Sequence, residues 1–131
     1  MRHIQLITTN YLKLEYNALD NYLYVEWFGA LENEAIIQGY DQTLYYLKKE
    51  HCQKLLDNHL EVEGIWADLA EWFAQDWHIR AEKAGLQYHA VVYSKSHFSR
   101  LSTDKAIKMV QTGIVEGFET VHEAEGWLTN L

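Results

Sequence analysis

Ile65-Trp66-Ala67-Asp68-Leu69-Ala70-Glu71-Trp72-Phe73-Ala74-Gln75-Asp76-Trp77-His78-Ile79-Arg80-Ala81-Glu82-Lys83-Ala84 decides the fold class, because its apolar residues recur at the spacing of a helix. Trp66, Leu69, Ala70, Phe73, Trp77, Ala81 and Ala84 make one continuous stripe, and Gly85 follows as a C-terminal stop. Short apolar runs lie on either side. Lys54-Leu55-Leu56-Asp57 precedes the helix and reads as a buried strand, with residues 59–64 as a loop. Residues 88–93 follow it, and Ala90-Val91-Val92 is apolar on both faces. A strand, a helix and a strand in that order imply parallel strands joined by a right-handed crossover.

Moving toward the N-terminus, residues 32–49 carry Ile37, Tyr40, Leu44 and Leu47 at helical spacing. Glu32 and Glu34 stand near the start and Lys48 and Lys49 at the end, each complementing the helix dipole. Gly39 sits inside this helix at a cost of about 1 kcal/mol against alanine. Before it, Leu12-Lys13-Leu14-Glu15-Tyr16 alternates apolar and polar, residues 17–21 make a turn, and residues 22–28 form a second strand. The two strands predict an antiparallel hairpin. Residues 4–8 either extend it or form a separate arm.

Toward the C-terminus, residues 96–101 read as a short helical turn, and Ser102 or Thr103 as the cap of a helix carrying Ala106, Ile107 and Val110. Residues 116–120 read as a last strand. Thr120-Val121-His122-Glu123 is a capping box that opens a final helix with Ala124, Trp127 and Leu128 inward. The expected architecture is one α/β domain over residues 1–131, with a mixed sheet of four to five strands and about four helices.

The 131 residues suffice for a packed core without a staple, and apolar residues make up 48%. A formal charge of −8 disfavours nucleic acid and anionic membrane surfaces as partners. Cys52 is alone, which fits a reducing cytoplasm, and no apolar run reaches the length of a membrane span. Met1-Arg2-His3-Ile4-Gln5-Leu6-Ile7 is too polar for a signal peptide.

No catalytic constellation stands out. The seven histidines are dispersed with no pair on one helical turn, so neither a metal nor a cofactor is expected. Gly-x-Ser-x-Gly and phosphate-binding glycine loops are absent. Cys52 reads as a small buried hydrophobe, and Ser96, Ser99 and Ser102 have no visible base. Trp72, Ile65 and Ile79 lie off the main stripe of the long helix and widen its apolar face. Either a neighbouring helix covers them, or they are a contact patch for a partner or a second copy of the chain.

Five stretches carry a resemblance. They are Leu23-Tyr24-Val25-Glu26-Trp27; Leu55-Leu56-Asp57-Asn58; Trp72-Phe73-Ala74-Gln75-Asp76-Trp77 with Ala81 and Ala84-Gly85; Phe98-Ser99-Arg100-Leu101-Ser102; and Phe118 with Ala124 and Trp127-Leu128. In order, over residues 12–131, they resemble the SpoIIAA-like family of STAS-type domains. The resemblance implies helices packed on a four- or five-stranded sheet, and regulation by protein contact without a reaction. Partner-switching members are phosphorylated on a serine or threonine at the start of the long helix. Residues 57–66 contain neither, so that switch does not carry over, although Glu61 and Glu63 stand near the same end. Relatives are also expected to have a proline after the second Trp of the long helix. His78-Ile79-Arg80 stands there instead, which predicts a straighter helix up to Gly85.

The contact surface expected from this is Asp57, Asn58, His59, Glu61, Glu63 and Trp66, extended along Trp72, with homodimerisation through the 65–84 helix. A second reading makes Tyr40, Tyr45, Tyr46, Trp27 and Trp66 the lining of an apolar ligand pocket, as in lipid-transfer domains of similar fold. Such a pocket needs several hundred Å3.

Overall fold

The computed structural model describes residues 3–131. Met1 and Arg2, which open both the expected domain and the segment weighed as a signal peptide, lie outside the described residues. The elements are β1 (His3–Thr8), β2 (Leu12–Asn17), β3 (Tyr22–Ala30), α1 (Asn33–Lys49), β4 (Lys54–Glu63), a helical run over residues 67–83, β5 (Tyr88–Val92), α4 (His97–Met109), β6 (Ile114–Phe118) and α5 (Val121–Thr129). The strands form one sheet of six, in the order of the chain. β1, β2 and β3 pair antiparallel, and β3 to β6 pair parallel. The sheet is therefore mixed, as expected, with one strand more than the upper estimate. The extra strand is β1, a separate arm that pairs with β2 through a bulge between Gln5 and Ile7.

Side chains alternate across the sheet with the two-residue period of strands. Leu23, Val25, Trp27 and Leu55 face α1, the 67–83 run and α4, while Tyr22, Leu56, Ala90 and Val92 face α5. Thr120 caps α5 by accepting from the Glu123 amide at 3.1 Å. The Glu123 carboxylate accepts from the Thr120 hydroxyl rather than from its amide, so only half of the expected capping box forms.

Three expectations fail. First, residues 59–64 are no loop, because β4 continues to Glu63 alongside the nine-residue β3. Phe28 pairs with Glu61 and Ala30 with Glu63, and β4 carries one extra residue between Asn58 and Glu61. Second, the long helix is broken rather than straight. A 3-10 turn (Ala67–Leu69) leads into α2 (Ala70–Trp72), a π turn (Phe73–Trp77) and α3 (His78–Lys83). The π turn takes up one extra residue. Trp77 and His78 are neighbours in sequence and are both fully buried, which this local widening accompanies. Ile65 lies outside every piece, so the wide apolar face predicted for one long helix does not exist. Third, α4 begins at His97 and includes Ser102 and Thr103. Both hydroxyls are buried inside the helix and donate four residues back, to the Phe98 and Ser99 carbonyls.

Candidate functional site

Asp57 and His59 lie two apart on β4 and so share a face, the one covered by α1, the 67–83 run and α4. The Asp57 carboxylate is fully buried and accepts four hydrogen bonds. Trp27 Nε1 donates at 2.8 Å and His59 Nε2 at 3.0 Å to Oδ1. The Tyr40 hydroxyl donates at 2.6 Å and His89 Nε2 at 3.0 Å to Oδ2. Burial alone would raise the Asp57 pKa, but His59 and His89 outweigh it and hold the carboxyl below its usual range. The same burial, with the Asp57 charge beside it, pushes the Tyr40 hydroxyl well above the ordinary tyrosine value. The ring of Tyr40 packs on Trp27, Phe73 and Trp77 at 4.9, 5.2 and 4.8 Å between centroids.

The network extends in two directions. On one side, His59 Nδ1 meets Thr103 Oγ1 at 3.2 Å, and the Thr103 hydroxyl donates to the Ser99 carbonyl. Ser99 Oγ in turn donates to the Gly64 carbonyl, and Ser102 Oγ accepts from the Trp66 amide at 3.0 Å. The segment after β4 is thereby tied to the first half of α4. On the other side, the His89 ring stacks on His78, with centroids 5.6 Å apart and planes 5° from parallel. His78 Nδ1 donates to Glu82 at 3.2 Å, and Thr112 donates to the same oxygen at 2.6 Å. Burial, then the neighbouring His89, lower the His78 pKa from 6.5 to about 4, against a smaller opposing pull from Glu82.

The sequence-predicted residues separate. Asp57, Asn58, His59 and Trp66 are buried and form no contact surface. Asn58 faces the other side of the sheet, where it donates to the Tyr24 hydroxyl and accepts from the Leu60 amide. Glu61 and Glu63 are exposed at the end of β4, with Glu61 paired to Lys95 at 3.0 Å. Trp72 is half-buried and packs toward Tyr40, so a neighbouring element covers it. Trp27, Tyr40 and Trp66 do border a cavity together with His59, but it has room for roughly one water molecule. That is far short of a lipid. Tyr45 points to solvent and Tyr46 packs edge-on against it, so neither lines the cavity.

The chemistry open to this site is narrow. Asp57 is saturated by donors and offers no free lone pair to a cation, and no three metal-ligating side chains converge among the described residues. Ser99 and Ser102 spend their protons on backbone carbonyls. Burial, then Glu50, push the Cys52 thiol up to about 12. Sequence reasoning missed Trp27, Tyr40 and His89 as partners of Asp57, and Thr103 and His78 as the groups behind His59 and His89. The available signal was Asp57-x-His59, which places both groups on one face once residues 57–59 are read as strand.

A mixed six-stranded sheet with three helical elements on one face and α5 on the other matches a SpoIIAA-like α/β fold. The chain is similar in structure to an uncharacterised protein of the DUF3478 family with a SpoIIAA-like fold from Shewanella loihica PV-4, at 19% identity and a TM-score of 0.57, over 98% of this chain and 96% of that one. No family model and no curated protein matches the sequence. Among the described residues no helix is long and apolar enough to cross a membrane.

Proposed function

We propose that the chain is a non-enzymatic regulatory module acting by protein contact, and that its contact surface is the exposed ridge formed by Ile65, Phe98 and Leu101. The observation that carries this reading is exposure on a fixed frame. Ile65 is 66% exposed, Phe98 59% and Leu101 50%. Phe98 and Leu101 are three apart and share one face of α4. Ile65 leaves from the segment that Ser99 and Ser102 tie to that helix. Solvent gains nothing from large apolar side chains held rigidly outward, whereas a partner does. The saturated Asp57 speaks against catalysis at that carboxylate, and the water-sized cavity against a bulky ligand between Tyr40 and Trp66.

The partner assigned is a second copy of this chain. The rim carries both signs, with Glu61, Glu63 and Lys95 exposed, which suits a self-complementary contact. The homodimer expected along the 65–84 helix is thus centred on the junction between β4 and α4. Light scattering after size exclusion is expected to show a concentration-dependent dimer. Phe98→Asp is expected to weaken it at least tenfold, since burying a Phe contributes about 1.5–3 kcal/mol, while the melting temperature stays within about 2 °C of wild type. A monomer at millimolar concentration rejects self-association.

A further inference from the structure

The stacked imidazoles carry an inference that does not depend on the contact surface. His78 Nδ1 and His89 Nε2 each donate to a carboxylate, Glu82 and Asp57 respectively. Those bonds occupy one nitrogen of each ring and leave His78 Nε2 and His89 Nδ1 facing no partner. Both atoms are buried and have no hydrogen-bond partner. An orphaned acceptor in the interior costs stability, and native folds retain few of them. These two atoms are also the only places on either ring where a proton can be added.

The groups facing the pair are few. Glu82 lies on the same helix as His78, with Thr112 bound to it from the segment before β6. Asp57 faces His89 from β4, already holding His59 and Tyr40. Phe73 and Trp77 close the remaining sides at 5.7–6.1 Å between ring centroids. A proton on one ring therefore places a cation against the other ring, and protons on both would place two cations in contact.

We infer that His78, stacked on His89, is a proton-operated latch, closed when the His78 ring is neutral, whose uptake of one proton releases α3 from the sheet while β4 and β5 stay paired. His89 is anchored in the middle of the sheet, so His78 is the ring that leaves. α3 is suited to that movement. It is six residues long, with a π turn before it and Gly85 at a φ of +117° after it. Glu82 is partly exposed, and Thr112 and Gly113 are exposed. Once outside, His78 titrates as an ordinary imidazole. The open form binds a proton that the closed form refuses, so acid favours opening and base favours closure. The opening constant rises by up to tenfold per pH unit below about 6.5 and levels off once the closed form itself takes up the proton.

The test is amide hydrogen exchange on the wild-type chain between pH 7 and 5, read against imidazole 15N shifts. The Ala84 and Leu86 amides report on α3, because they donate to the Arg80 and Ala81 carbonyls. Their protection, corrected for the intrinsic exchange rate, is expected to fall about tenfold between pH 6 and 5, while the amides of β5 hold theirs. At pH 7 the shifts are expected to show the His78 ring neutral, with its proton on Nδ1. His78→Asn keeps a donor toward Glu82 without the basic nitrogen, and is expected to flatten the pH response. Equal loss of protection in α3 and β5, or a charged His78 ring at pH 7, overturns the latch. Should His78→Asn fail to fold, the two wild-type measurements still decide.

Discussion

Asp57→Ala leaves no stable fold at 25 °C. The substitution removes one carboxylate and strands four donors, on Trp27, Tyr40, His59 and His89, in the protein interior. Each orphaned donor costs about 1–3 kcal/mol, and together they rival the 5–15 kcal/mol that holds a typical domain together. Asp57→Asn keeps the shape and half the acceptor capacity but turns an NH2 toward donors, so it folds with a loss of about 3–5 kcal/mol. Urea unfolding followed by far-ultraviolet circular dichroism measures both. A wild-type midpoint for Asp57→Ala would mean that water replaces the carboxylate, and that the network is not what fixes the core. The sign of the pH dependence follows from the same group. Its folded pKa lies below the unfolded 3.8, so its stabilisation is complete above that pH and is lost as pH falls below it.

Gly39→Ala is expected to destabilise by at least 2 kcal/mol, although alanine is the better helix former by about 1 kcal/mol. A Cβ at Gly39 would lie 2.4 Å from Trp27 Cη2 and 2.5 Å from Cζ3. Trp27 cannot yield, because its ring is buried against Tyr40 and its Nε1 is bound to Asp57. The contrast is Gly126 in α5, where an added Cβ meets nothing within 4 Å. Gly126→Ala is expected to stabilise by up to about 1 kcal/mol, from propensity alone. Thermal melts of the two variants should move in opposite directions. A stabilised Gly39→Ala would show that α1 slides away from the sheet at little cost.

Much of the fold is legible wherever a segment's period and its surroundings agree. The β2–β3 hairpin, α1, β5 and α5 are of this kind: residues 12–16 alternate, residues 32–49 repeat every three or four, and Ala90-Val91-Val92 is apolar on both faces. The site is legible only in part, for a specific reason. Asp57-Asn58-His59 reads as the polar end of a strand because each residue is costly to bury alone. What makes burial tolerable lies far along the chain, 30 residues away at Trp27, 17 at Tyr40 and 32 at His89. Tertiary packing hides the stacked histidines too, since His78 and His89 meet only where α3 packs on β5. Ser102 and Thr103 mislead differently. Their hydroxyls suit helix starts, yet here they bond back inside α4. The π turn leaves no trace in the apolar stripe, because one added residue still leaves Phe73 and Trp77 on the core side.

The strict chain order of the six strands bears on how the molecule is made. A growing chain emerging from the ribosome presents β1, β2 and β3 first, and their antiparallel pairing needs nothing that comes later. Each further strand then docks on an edge already in place, with no strand having to insert between two others. Vectorial growth of this kind keeps one open edge at a time waiting for its neighbour, which shortens the interval in which nascent chains can pair with each other. The Asp57 knot closes later, when His89 arrives on β5.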